Sequence, residues 1–365
     1  MRRHPVAALG AVPLAWAVLG APLQYAPESG ARDEQSWSVR HSLALVELSL
    51  ETGDGEPANA PEMTMKATRS RSLTIAQVHD EAADGAPVVL TRTYGEVEES
   101  IDASFMIPND GLDETLDASI DAPLDDVTVR FRWDEDEDDW SRSLVDESGE
   151  ETEGQEDAIA RLAVDAHLAG LLDELEEAEE GASWEAEPQA IAALVLPGGG
   201  LGGALDASPS DDRPFESHAA GVDPLLGMDL HLLLLGESEG EVSGDLRCTL
   251  KELPKDDAGN ATIGIEVDLT ATRDITEHVL PWLDALTDDV AVDLSSASAT
   301  LRMQGAGEVE WNVATGLPTS VSLDLTLAYT LEREAELVTP GGDEIVILTT
   351  VELEGDLSSE MSTDM

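Results

Sequence analysis

Residues 318–332 read PTSVSLDLTLAYTLE, in which Val321, Leu323, Leu325, Leu327, Tyr329 and Leu331 recur at every second position with Ser, Asp, Thr and Ala between them. A period of two gathers those six side chains on one face of a β-strand, whereas a helix would scatter them round its axis. Just upstream, NVATGLP at 312–318 has the form of a hairpin turn, with Gly316 where a positive φ is wanted. The same alternation runs on to DEIVILTTVELEGDL (343–357) and back through GEVEWNV (307–313), VAVDLSSASATLRMQ (290–304), ATIGIEVDLTATR (261–273) and EVSGDLRCTLKEL (241–253). MDLHLLLLGES at 228–238 reads as the first strand of this group.

The first half has the same texture. WSVRHSLALVELSL (37–50), MTMKATRSRSLTIAQV (63–78), APVVLTRTYGEVEESIDASFMI (86–107), DDVTVRFRW (125–133) and DWSRSLV (139–145) are separated by turn-rich pieces such as ETGDGEPANAPE and DEAADGAP. Loops this short suit antiparallel meanders, because parallel strands need long crossovers. A strand–acidic turn–strand pattern at 73–96 echoes one at 248–274.

The middle differs. Residues 134–180 hold 20 acidic and 2 basic side chains, and Val164, Leu168, Leu171, Leu172 and Leu175 share one helical face. Thr152 with Gln155 fits a capping box, and Glu156 and Asp157 suit the first turn of a helix. A short helix is expected over 188–196, opened by Pro188 and ended by Pro197-Gly198, and another over 276–286. GGGLGGALDASPSDDRPFESHAAG at 198–221 reads as a linker.

The expected class is therefore α+β, mainly antiparallel β. Two strand-rich halves form a curved or paired sheet with a helical insertion at about 152–200. The expected organisation is 1–31 signal and processing region, 32–150 first β half, 151–225 acidic helical insertion and linker, and 226–365 second β half.

Composition narrows the function. The chain carries 78 acidic against 19 basic residues, a formal net charge of −59, in 365 residues that are 42% hydrophobic. That field repels phosphate backbones and anionic headgroups, so nucleic acid is excluded as a partner class. MRRHPVAALGAVPLAWAVLGAPL has the basic-then-apolar plan of a secretory signal, and Pro5, Pro13 and Pro22 make it a poor spanning helix. SGA ending at Ala31 is the best cleavage site, and no later stretch is long and apolar enough to span a bilayer. The mature chain is expected to be extracytoplasmic, periplasmic or secreted, without a transmembrane segment.

No motif carries catalytic chemistry. Gly236-Glu-Ser238-Glu-Gly240 spells a nucleophile elbow, but an elbow needs a helix after the serine and EVSGDLRCTL alternates as a strand. Gly198, Gly200 and Gly203 spell G-x-G-x-x-G with no βαβ unit around them. Cys248, the single cysteine, shares parity with Leu246 and Leu250 and reads as a small core residue. The seven histidines are scattered, His231 lying in a leucine-rich run. DEDEDD at 134–139, between Trp133 and Trp140, reads as a hairpin tip in which Asp134, Asp136 and Asp138 are the candidate Ca²⁺ ligands. It lacks the glycine and ordered spacing of a dedicated loop, so no cofactor is expected beyond that ion.

GAGEVEWNVATGLPTSVSLDLTLAYTLE (305–332) and ASWEAEPQAIAALVLPGGGL (182–201) resemble uncharacterised secreted bacterial β-rich proteins, and in layout the chain is distantly similar to lipoprotein-carrier folds. The resemblance implies a curved antiparallel sheet sheltering helices and an apolar ligand, and it assigns no site residues. The expected function is non-catalytic: binding an apolar small molecule or envelope protein, or a structural envelope role. The rival is a secreted hydrolase with a site assembled from dispersed residues, distinguishable by converging polar groups rather than an apolar cavity.

Self-repulsion among 59 unbalanced charges destabilises the compact state when salt is low. Melting temperature should therefore rise with NaCl from low to moderate concentration. A flat or falling curve would show that the charge is already offset.

Overall fold

The computed structural model describes residues 23, 27–60, 62–83, 86–108, 112–120, 124, 126–134, 139–146, 148–154, 159–160, 162, 170–172, 179–199, 230–235, 239–254, 259–277, 292–338 and 344–364. The strands are β1 (Arg32–Thr52), β2 (Pro57–Ala58), β3 (Thr64–Ala83), β4 (Ala86–Ile107), β5 (Leu112–Ile120), β6 (Val127–Asp134), β7 (Asp139–Val145), β8 (Glu151–Thr152) and β9 (Ser183–Ala186). After two short helices, α1 (Ile191–Val195) and α2 (Leu230–Leu235), come β10 (Gly240–Glu252), β11 (Asn260–Asp274), β12 (Val292–Asn312), β13 (Leu317–Val338) and β14 (Glu344–Asp364).

All of them join one 14-stranded sheet in the order β8-β7-β6-β4-β3-β1-β14-β13-β12-β11-β10-β9, with β2 beside β1 and β5 beside β4. Every pairing is antiparallel. The chain builds one meander outward from β1 and a second inward to β14, and these two strands then pair from Glu34↔Asp364 to Thr52↔Ile347.

The α+β expectation is overturned: the described residues are nearly all antiparallel β, and the named α-helices among them are two short ones. The two strand-rich halves are edge-to-edge parts of one sheet. Of the acidic stripe, Leu171 and Leu172 are buried in a turn that begins at Gly170, and Val164, Leu168 and Leu175 lie outside the described residues. Glycine in mid-stripe disfavours helix, and the Gly170 carbonyl accepts a hydrogen bond from the Glu187 amide instead.

The helix over 188–196 is present, as a 3₁₀ turn at Pro188–Ala190 followed by α1, and Leu196-Pro197 ends it. The run at 230–235 is the opposite case: expected as a strand, it is α2. Five leucines and one histidine have no β-branched member and no alternation, and leucine is a strong helix former. Thr276 and Glu277 are helical, and the rest of the 276–286 expectation lies outside the described residues, as does most of the 198–221 linker.

Along β13 the burial alternates without a break from Val321 to Leu331. The inward side chains, among them Leu323, Leu325 and Leu327, are covered by protein, and each fully buried leucine is worth about 1.5–3 kcal/mol. The outward positions carry Asp324, Glu332, Glu352, Glu354 and their like. The turn from β12 to β13 closes as its sequence requires. Gly316 has φ of 67°, and Asn312 Oδ1 accepts from the Ala314 and Thr315 amides at 3.1 and 2.9 Å. Trp133 faces Trp140 across the β6–β7 hairpin, ring centroids 5.6 Å apart and edge to face.

Glycines crease the sheet. Gly355 on β14 lies opposite Leu43 on β1, and a Cβ there would overlap the Ser42 carbonyl. Gly305 on β12 is likewise held close to the Asp324 carbonyl of β13. No side chain fits such an approach, so these positions let long strands bend together. Gly355→Ala should therefore cost about 1–3 kcal/mol in urea unfolding, since backbone rather than a flexible side chain must move. An unchanged midpoint would show that the seam is looser than this packing.

Candidate functional site

The inner face is largely apolar across β10–β14, Thr349 and Ser359 of β14 excepted, but not across β1, β3 and β4. Asp33, Gln35, Gln77, His79 and Arg92 all point inward there and are buried. Register builds the group: Gln77 lies opposite Asp33 on one side and Arg92 on the other. Gln35 and Gln77 donate to Asp33 Oδ2 at 2.8 and 3.0 Å, and Trp37 Nε1 donates to Gln35 Oε1 at 2.9 Å. Arg92 Nε donates to Gln77 Oε1 at 3.0 Å, and its guanidinium lies 5.6 Å from the Phe131 ring centre. A buried carboxylate is tolerable when hydrogen-bonded and accompanied by a cation.

Gln77 Nε2 is also 3.4 Å from His79 Nε2. An amide nitrogen only donates, so this contact assigns His79 Nε2 as acceptor and places the ring proton on Nδ1. That Nδ1 and Asp33 Oδ1 have no hydrogen-bond partner, and the 3.7 Å from His79 Nε2 to Asp33 Oδ1 is too long to be one.

A second buried group lies further along the same strands. Glu99 accepts from Arg69 Nε, and from Arg71 Nη2 at 3.2 and 3.3 Å. His41 sits opposite Arg69. Burial first, then the charges of Arg69 and Arg71, lower the His41 pKa from 6.5 to about 3, so its imidazole is neutral. A bulge aims Glu99. Between Ser72↔Glu98 and Thr74↔Gly95 strand β4 has one residue more than β3, and Glu96 takes φ of 49°. Inward parity on β4 thus jumps from Leu90, Arg92 and Tyr94 to Val97 and Glu99.

Neither group contains a hydroxyl or thiol nucleophile. Cys248 is buried and its thiol pKa is pushed up to about 12 by that burial, which makes it inert. Of the calcium candidates, Asp134 ends β6 half-buried, while Asp136 and Asp138 lie outside the described residues. Ser238 also lies outside them; the flanking elements run helix α2 then strand β10, the reverse of a nucleophile elbow.

Two short helices lie against part of the apolar face, α1 on β14 and α2 on β11 and β12. Ile191, Ala192, Leu194 and Val195 of α1 and Leu230, Leu233 and Leu234 of α2 are buried. Ser359 Oγ donates to the Leu194 carbonyl at 2.6 Å, and Arg273 Nε to the Leu233 carbonyl at 3.1 Å.

Sequence reading passed over the inward polar groups although a signal for them existed. Asp33 and Gln35 share parity with Trp37, Gln77 and His79 with Leu73 and Ile75, and Arg92 with Leu90 and Tyr94. Polar residues in the apolar phase of a strand are the mark of a buried network.

No family model and no curated protein matches the chain. Among solved structures it is similar to the outer membrane protein OprG from Pseudomonas aeruginosa. The identity is 8% over 91% of this chain and 97% of that one, with a TM-score of 0.20. It is also similar to a mutant porin of Rh. blastica, at 10% identity over 90% and 100% of the chains and a TM-score of 0.13. Neither likeness carries an argument at those scores, and neither is to a lipoprotein carrier. No helix among the described residues is long and apolar enough to cross a membrane. A barrel that crosses with strands turns its apolar side out to lipid. Here the apolar side is covered by protein and the solvent side is acidic.

Because His41 is neutral in the fold and protonates near 6.5 when unfolded, the unfolded chain holds the extra proton between about pH 6.5 and 3. Stability is thus lost as pH falls through that window, by at most about 1.4 kcal/mol per pH unit. Urea unfolding of His41→Leu between about pH 6 and 5 should show a slope shallower by that amount. Identical slopes would mean that His41 is protonated in the fold.

Proposed function

We propose that the chain is a non-catalytic extracytoplasmic protein whose inner sheet face binds an apolar ligand in the cell envelope. The observation that carries this reading is the division of that face. Strands β10–β14 offer a largely apolar surface, interrupted on β14 by Thr349 and Ser359, while β1, β3 and β4 place Asp33, His79 and Arg92 beside it.

An amphiphile has the same division, and an apolar surface with a few convergent polar groups is the general form of a ligand site. Helices of five and six residues have no stability of their own. Displacing α1 and α2 would uncover the parts of β14, β11 and β12 on which they lie. The basic-then-apolar leader at 1–23 supports export, and the acidic outer face supports an aqueous surround. The hydrolase reading has one observation in its favour, the approach of His79 to Asp33, but the group supplies no nucleophile of its own.

Native mass spectrometry of freshly purified protein should find a co-purified apolar molecule. cis-Parinaric acid should bind saturably and be displaced by palmitate. Ser359→Ala, which frees the α1 carbonyl at a cost of about 1 kcal/mol, should raise that affinity about fivefold. Absence of saturable binding to folded protein would leave a structural role.

A further inference from the structure

The outer face of the four central strands carries a groove of about 480 Å³ that the acidic surface around it does not explain. Its floor is a single cross-strand row in which Leu357, Leu325 and Gly305 lie in register on β14, β13 and β12. Leu357 and Leu325 face inward and Gly305 has no side chain, so the floor presents backbone and the roots of two leucines outward. The outward residues on either side of the row form two banks. One bank is Arg40, Ser358 and Asp324, aligned on β1, β14 and β13. The other is Ser42, Asp356, Thr326 and Gln304, aligned across all four strands.

Any pleated sheet has valleys of this kind, and this one is deepened by the crease. Gly305 brings β12 hard against β13, and Gly355, one inward position beyond the floor, brings β14 against β1. The volume lies within the roughly 300–1,000 Å³ of small-molecule sites. At about 4.8 Å between strands the groove is about 14 Å long.

Its side chains are short of partners. Among the described residues Arg40, Asp324 and Asp356 form no ion pair, and the side chains of Ser42, Ser358 and Gln304 form no hydrogen bond. Elsewhere on the same face cations do find carboxylates, Lys251 with Glu308 at 2.7 Å and Arg302 with Asp268 at 3.3 Å. Thr326 Oγ1 donates to the Gln304 carbonyl at 3.1 Å, which leaves its oxygen as an acceptor.

Charge selects the ligand class. An anion would meet Asp324 and Asp356 and the field of the whole chain. A cation would meet Arg40. Asp324 and Asp356 stand on opposite banks as diagonal neighbours, about 7–8 Å apart at their Cα atoms, and form no three-residue metal group among the described residues. A neutral ligand rich in hydroxyls suits every one of them. Its O–H groups donate to the two carboxylates, its oxygens accept from Arg40, Gln304 and the serines, and its C–H surface rests on the floor. We propose that this groove binds a short stretch of neutral oligosaccharide laid across β1, β14, β13 and β12. The site is on the opposite face from the apolar surface and stands or falls independently of it.

The test is calorimetric titration of the full chain with cellohexaose, laminarihexaose, maltohexaose and chitohexaose, with spermidine and a hyaluronan hexasaccharide as charged comparisons. At least one neutral hexasaccharide should bind saturably. Arg40→Ala and Asp356→Asn should each weaken it about tenfold, as expected for loss of a hydrogen bond to a charged group. Glu308→Gln, outside the groove, should leave it unchanged. Both groove residues are exposed, and equal melting temperatures will show that the variants fold. The proposal is overturned if no neutral hexasaccharide binds, if binding survives both groove variants, or if spermidine or the hyaluronan fragment binds there instead.

Discussion

The pairing of β1 with β14 is the contact on which the rest of the structure depends. It joins strands from the two ends of the described chain, and it lies at the middle of the sheet rather than at an edge. Without it there are two antiparallel meanders, each with a long unpaired strand. With it there is one surface, across which Trp37 meets Met361, Val39 meets Ser359 and Leu43 meets Gly355. A contact of such sequence separation is entropically costly and late to form, so its repayment must come from packing along its length. The close approach at Gly355 and the burial of Trp37 and Met361 supply that packing.

From the seam outward the sheet keeps one sidedness and divides its inner face. The second meander is largely apolar inside and takes α1 and α2 onto it, α1 held to β14 through Ser359 and α2 to β11 through Arg273. The first meander keeps buried charge, balanced by hydrogen bonds around Asp33 and around Glu99. Such networks contribute less to net stability than leucines would, and they fix which side chains meet. The outer face carries the acid excess, and its few exposed ion pairs contribute little. The creased centre of that face combines a cation, carboxylates and hydroxyls in one groove.

Strand existence was legible from residues because period-two alternation, as at Val321–Leu331, has one physical meaning when one face is buried. The hairpin at Gly316 and the tryptophan pair at the β6–β7 hairpin were legible for local reasons: turn chemistry and adjacency. The helix at 188–196 was announced by its prolines. What failed was reading period in short or interrupted apolar runs. LHLLLL at 230–235 has no period to read, and the stripe through Leu171 and Leu172 is cut by Gly170. The seam between β1 and β14 was invisible, since alternation tells which face a residue takes and not which strand lies beside it. The inward polar groups were visible only as exceptions to phase. For Glu99 even the phase was hidden by the bulge after Gly95, the glycine inside a strand being the one mark of it.

Native-state hydrogen exchange, resolved by residue, tests the seam most directly. If β1 and β14 hold the two meanders as one unit, the amides of Trp37–Leu43 and Leu353–Met361 will exchange only through global unfolding. They will then share the slowest rate in the protein and the same denaturant dependence. Exchange of either strand well ahead of β12 and β13, or separate opening of the two meanders, would contradict a single sheet built from its centre.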